Sequence, residues 1–110
     1  MVGKWSRYVP LKAFEHYKVS DPKSGVGTWK VTIKRTGLID IFRPKATTAT
    51  LEGTIRVTPA RAVFKVGCDN SNHYTWKVSS AGKLLRFVYG SDSGCPQRAA
   101  VMSGYWKKRS

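Results

Sequence analysis

Acidic residues are what this chain has least of. Six Asp and Glu stand against twenty Lys and Arg in 110 residues, a formal net charge of +14. The excess is not a tail: residues 1–25 carry five basic and two acidic side chains, 26–66 eight and two, and 67–110 seven and two. A detachable basic arm is therefore excluded in favour of a cationic surface on a folded body. Long apolar runs are missing as well, so no stretch reads as a membrane-spanning helix. The N-terminus lacks the charged-then-apolar pattern of a secretory signal. The expectation is a cytosolic protein, or a secreted one whose leader lies outside this sequence. Cysteine is limited to Cys68 and Cys95. With His16 and His73 they have neither the CxxC nor the HxxxH spacing of a zinc site, so no metal and no cofactor is expected.

The machinery of catalysis is equally thin. No glycine-rich phosphate loop, no serine elbow and no carboxylate pair is present. The acids are Glu15, Asp21, Asp40, Glu52, Asp69 and Asp92. Asp21, Asp69 and Asp92 read as turn residues, Glu52 as an outer-face residue, and Asp40, between Ile39 and Ile41, as an exposed edge. Cys68 and His73 are close in sequence, but a nucleophile and base must also converge in space beside an oxyanion hole. The reading leans away from an enzyme, and no catalytic residue is assigned.

Aromatic and β-branched residues are plentiful, which excludes a disordered chain despite the charge. Residues 1–25 read as an N-terminal extension with a short helix after Pro10, where Leu11, Phe14 and Lys18 share a face. From residue 26 to 110 the period becomes two. Strands are expected at 26–35, 38–43, 48–57, 61–66, 73–79 and 83–89, with a short helix over 97–103 opened by Pro96 and a last strand at 105–108. About seven strands at roughly ten-residue spacing mark an antiparallel barrel or sandwich.

The two faces of those strands differ in kind. Trp29, Ile33, Leu51, Ile55, Phe64, Tyr74 and Trp76 share the apolar face, whereas Lys30, Lys34, Arg56, Arg61, Lys65 and Lys77 share the other. A slip of one residue would bury several unpaired lysines, so the register is strongly specified. The interior should be dry and the exterior positive.

The order Gly27-Thr-Trp29, Gly53-Thr-Ile-Arg-Val57, Tyr74-Thr-Trp76, Leu84-Leu-Arg-Phe87, Cys95-Pro-Gln-Arg98 and a terminal Trp106 resembles small bacterial lipocalin-like domains of the calycin superfamily, over about residues 25–109. The resemblance implies an all-β, antiparallel up-and-down barrel with the two short helices, and implies fold more than activity. It also implies a tryptophan of the first strand stacked under a late Arg or Lys, here Trp29 under Arg98, a cation–π contact of about 1 kcal/mol with a structural role.

Cys68 and Cys95 are favoured as a disulfide. That pairing would indicate a secreted or cell-envelope protein, and two reduced thiols a cytoplasmic one. Three functions compete. The leading one is non-catalytic binding of a small apolar ligand in a lumen lined by Trp29, Ile33, Leu51, Phe64, Tyr74, Trp76 and Phe87, unless these bulky residues pack it shut and leave a structural barrel. The second is binding of nucleic acid or an anionic polysaccharide by Lys30, Lys34, Arg56, Lys65, Lys77, Lys107, Lys108 and Arg109. The third is a cyclase or isomerase working by lumen shape alone.

Overall fold

In the computed structural model, which describes residues 1–109, eight antiparallel strands in chain order close on themselves. They are β1 (Gly3–Val9), β2 (Gly27–Ile33), β3 (Leu38–Phe42), β4 (Leu51–Val57), β5 (Ala62–Lys65), β6 (His73–Val78), β7 (Leu84–Ser91) and β8 (Gly104–Arg109). Helix α1 (Leu11–His16) follows β1, and α2 (Pro96–Met102) precedes β8. The up-and-down barrel with two short helices matches the expected fold class. No helix among the described residues is long and apolar enough to cross a membrane.

The boundary at residue 25 is corrected. Residues 1–25 are not an appendage, because Gly3–Val9 is the strand that closes the barrel. It runs beside β2 from Gly3↔Ile33 to Val9↔Gly27 and beside β8 from Lys4↔Arg109 to Ser6↔Lys107. Its alternation puts Trp5 and Val9 in the core and Lys4 and Tyr8 outside, but the inward position between them holds Arg7. A cation in a core register disguises the period. Arg7 is tolerated because it lies near the barrel end, beside Gly104, where an added Cβ would meet its Cζ at 2.8 Å. Burial pushes its pKa down, with the Tyr17 phenol opposing.

The interior is filled. Trp5, Phe14, Phe64, Tyr74, Phe87, Met102 and Trp106 are all at most 1% exposed, and each fully buried indole N–H finds a carbonyl: Trp5 on Met1 at 2.9 Å and Trp106 on Met102 at 3.2 Å. Lys30 and Lys65 point to solvent, as the pattern required. The weak seam is β5–β6, paired only at Ala62↔Tyr74. There the Asn72 side chain replaces a strand, accepting from the Phe64 N–H at 2.9 Å and donating to the Phe64 carbonyl at 2.8 Å. Gly53 lets β4 approach this region, since a Cβ would lie 2.2 Å from the Lys65 carbonyl oxygen.

The connections divide by length. The turns β2–β3, β4–β5 and β6–β7 are short and lie at one end, with both termini. All the long connections, including α1, α2 and the two cysteine loops, gather at the other end. In a barrel filled by its own side chains, the end with long, shapeable loops is where a site can form.

Candidate ligand site at the helical mouth of the barrel

Trp29 enters β2 at this end and is 2% exposed, its indole N–H held by the Gly25 carbonyl at 2.7 Å. Above it the barrel does not close. A cavity of about 250 Å³ remains, walled by Ile41, Leu51, Val66, Val101, Met102 and the Cys68–Cys95 bridge. Arg43, Thr50 and Gln97 supply polar groups to the same cavity, with Arg98 on its inner side. The lining is mainly apolar with a few convergent polar groups, the ordinary make-up of a small-molecule site. Its volume lies just below the usual range of about 300–1,000 Å³.

Cys68 and Cys95 are bonded, with Cα atoms 6.2 Å apart, which ties the β5–β6 loop to the start of α2. A second, non-covalent tie runs alongside. Arg98 is 6% exposed, and its guanidinium donates through Nε to Asp92 Oδ2 at 2.8 Å and through Nη2 to Asp92 Oδ1 at 2.7 Å. Nη1 donates to the carbonyls of Val66 and Cys68, both at 3.0 Å, and Nη2 also reaches Asn70 Oδ1 at 3.2 Å. Asp92, wholly buried, further accepts from the Tyr74 hydroxyl at 2.5 Å and from the Asn70 amide at 3.0 Å. Burial by itself would raise the Asp92 pKa, but hydrogen bonds from Arg98, Tyr74 and Asn70 outweigh it and hold the carboxyl below its ordinary value. Burial, then the bond to Asp92, pushes the Tyr74 phenol far up, so it stays a donor. Five donors and a carboxylate thus hold one side of the cavity in a single geometry.

The residues assigned to a lumen from sequence are not all brought together. Trp29 and Leu51 line the cavity, with Leu51 38% exposed at its rim. Ile33, Phe64, Tyr74 and Phe87 are core packing at most 3% exposed. Trp76 is half-buried at the opposite end, its N–H donating to the Thr58 carbonyl at 2.8 Å. The stacked pair expected of Trp29 and Arg98 is corrected: Arg98 is committed to Asp92, and the tryptophan under a late cation is Trp5, with Lys108 Nζ 5.4 Å from its ring centroid. Asp92 does open a turn, its carbonyl accepting from the Cys95 N–H at 3.0 Å, but its carboxylate is also the buried anion, whereas Asp40 faces outward and pairs with Lys34 at 3.4 Å. Missed altogether were Ile41, Arg43, Thr50, Val66, Gln97, Val101 and Met102. The signal for the network was there, since Arg98 is a lone cation before Ala99-Ala-Val-Met102, and a buried guanidinium requires a buried acceptor.

The expected cationic residues also separate. Lys30, Lys77 and Lys107 are exposed on β2, β6 and β8, and Arg109 is half-buried at the end of β8. Lys34, Arg56 and Lys65 lie elsewhere, around the β2–β3 turn, β4 and β5, the part of the barrel that also carries Asp40 and Glu52. Lys108 points over Trp5. Among the described residues no three His, Cys, Asp or Glu side chains converge as metal ligands would. No family model, no curated protein and no solved structure matches this chain.

Proposed function

We propose that this chain is a lipocalin-like barrel that binds, without catalysis, one small and mainly apolar ligand in the mouth above Trp29. The observation that carries the reading is the contrast between a filled interior and an apolar cavity of about 250 Å³ at the end where the long loops meet. An apolar cavity of about 150 Å³ holds benzene, so this one suits a fused bicyclic ring or a comparably short branched chain. Arg43 and Gln97 favour a ligand carrying a carboxylate or carbonyl at its outer end. The disulfide and the Arg98–Asp92 network support a preformed pocket, which lowers the ordering cost of binding. The lipocalin-like assignment is supported by the Trp5–Lys108 contact between the first and last strands. The disulfide fits an oxidising compartment.

Native mass spectrometry of freshly purified protein tests for a retained ligand. Titration with 2-naphthoate, followed by tryptophan fluorescence, then tests the pocket directly. Saturable binding with one site, abolished in Leu51→Trp, is the expected result. Leu51 lies at the rim, so the larger ring fills the mouth without disturbing the core. Equal binding by Leu51→Trp, or no saturable binding at all, would overturn the assignment.

A further inference from the structure

On the outer wall made by β6, β7, β8, β1 and β2 the charge has one sign. The residues of these five neighbouring strands include no Asp or Glu. Cross-strand register arranges their outward side chains in rows. One row runs Lys77↔Arg86↔Tyr105, the next Leu84↔Lys107↔Ser6↔Lys30, and the third Arg109↔Lys4↔Thr32. Six cations therefore share the wall, all exposed except the half-buried Arg109, and neighbouring strands are about 4.8 Å apart. Self-repulsion on this scale costs stability, and no carboxylate on these strands relieves it; Asp40 of β3 stands across from Thr32 at the wall's edge, where it pairs with Lys34.

Two tyrosines stand within the same wall. Tyr105 is 57% exposed, with the Arg86 guanidinium 5.0 Å from its ring centroid, and Tyr8, 61% exposed, belongs to the adjoining strand β1. Exposed tyrosine rings offer flat faces on which bases can stack, and here they are interleaved with cations. We propose that this wall binds single-stranded nucleic acid, with Lys4, Lys30, Lys77, Lys107 and Arg109 on phosphates and Tyr105 and Tyr8 stacking on bases. Base stacking on aromatics beside a cationic track is how sequence-tolerant single-strand binders work. A sulfated polysaccharide would use the charges but give the ring faces no aromatic partner. An anionic bilayer would call for a protruding apolar tip, and the exposed apolar side chains of this wall, Leu84 and Val88, sit flat within strand β7. The site is separate from the mouth cavity, so the two readings stand or fall independently.

The test is fluorescence anisotropy of a labelled oligothymidylate with the full chain, between about 50 and 200 mM salt. Neutralising four to six phosphates gives a slope of log affinity on log salt of about −3 to −4, a loss of roughly a hundredfold over that range. Lys30→Ala with Lys107→Ala should flatten the slope by about 1.4. Lys12→Ala with Lys65→Ala removes the same net charge off the wall and should leave the slope unchanged. Tyr105→Ala should weaken binding about fivefold or more at every salt concentration, while Tyr105→Phe binds as the parent does. Four outcomes would overturn the proposal: no binding at the lowest salt, equal effects of the two lysine pairs, indifference to Tyr105→Ala, or tighter binding to heparin or to phosphatidylserine vesicles than to the oligonucleotide.

Discussion

Replacing Arg98 by Met keeps the length and apolar stem of the side chain and removes the fork. Asp92 would remain wholly buried with Tyr74 and Asn70 as donors but with no countercharge. Breaking a buried ion pair by deleting one partner costs about 3–5 kcal/mol. The Val66 and Cys68 carbonyls also lose their donor, but they border the mouth cavity, so water can reach them and adds little to that figure. Against a total stability of about 5–15 kcal/mol, the loss is a large fraction, equivalent to a melting temperature lower by roughly 15–30 °C. The pH dependence gives the sharper signature. The Asp92 pKa is depressed in the folded state, so its stabilisation is fully present above the unfolded value of about 4 and is lost as pH falls through the folded value. Urea unfolding of the disulfide-intact protein should show the full deficit of Arg98→Met near neutral pH. That deficit should narrow below about pH 4, where the parent loses its own advantage. The double variant with Asp92→Asn should be less destabilised than the sum of the single changes. A deficit under about 1 kcal/mol, or one that does not change with pH, would refute the assignment of this pair as the clamp beside the cavity.

Removing the disulfide by Cys68→Ser with Cys95→Ser should cost about 3.5 kcal/mol for a separation of 27 residues, measured by urea unfolding. It should also weaken ligand binding at the mouth, because the bridge forms part of the wall. Tyr74 is held neutral by burial, so stability is complete below its unfolded pKa near 10 and falls as pH rises beyond that value; Tyr74→Phe should flatten this alkaline loss in a thermal scan. Asn72→Ala leaves the Phe64 N–H and carbonyl without partners at the β5–β6 seam and should cost about 1–3 kcal/mol, with amide exchange accelerated first in β5.

What could be read from the sequence was governed by how strictly each strand keeps its two faces. In β2 the inward positions are apolar and the outward ones Thr or Lys, and in β5 Phe64 and Lys65 face opposite ways, so Trp29, Ile33 and Phe64 are buried while Lys30 and Lys65 are not. In β1 the inward position of Arg7 breaks the alternation, so the strand that closes the barrel passed as an extension. Alternation also says nothing of depth along the axis. Leu51 and Trp76 face inward at opposite ends of the barrel and so remain partly exposed, while Phe64 and Phe87 lie in the filled middle. The cavity was illegible for a different reason, since it is assembled from β2, β3, the β3–β4 connection, the start of β4, the two cysteine loops and α2, and no local pattern encodes their meeting. Asp92 reads as turn chemistry because it sits among Ser and Gly, and its carbonyl does close a turn with Cys95; the role of its carboxylate stayed hidden because it depends on Arg98, one helical turn beyond the cysteine.

The most direct measurement is a map of backbone amide chemical shifts during titration with 2-naphthoate. Changes confined to Ile41, Leu51, Val66, Val101 and Met102, saturating together with one dissociation constant, are predicted for a ligand seated over Trp29. Shifts spread along β7 and β8, or none at all up to millimolar ligand, would contradict a binding mouth in this barrel.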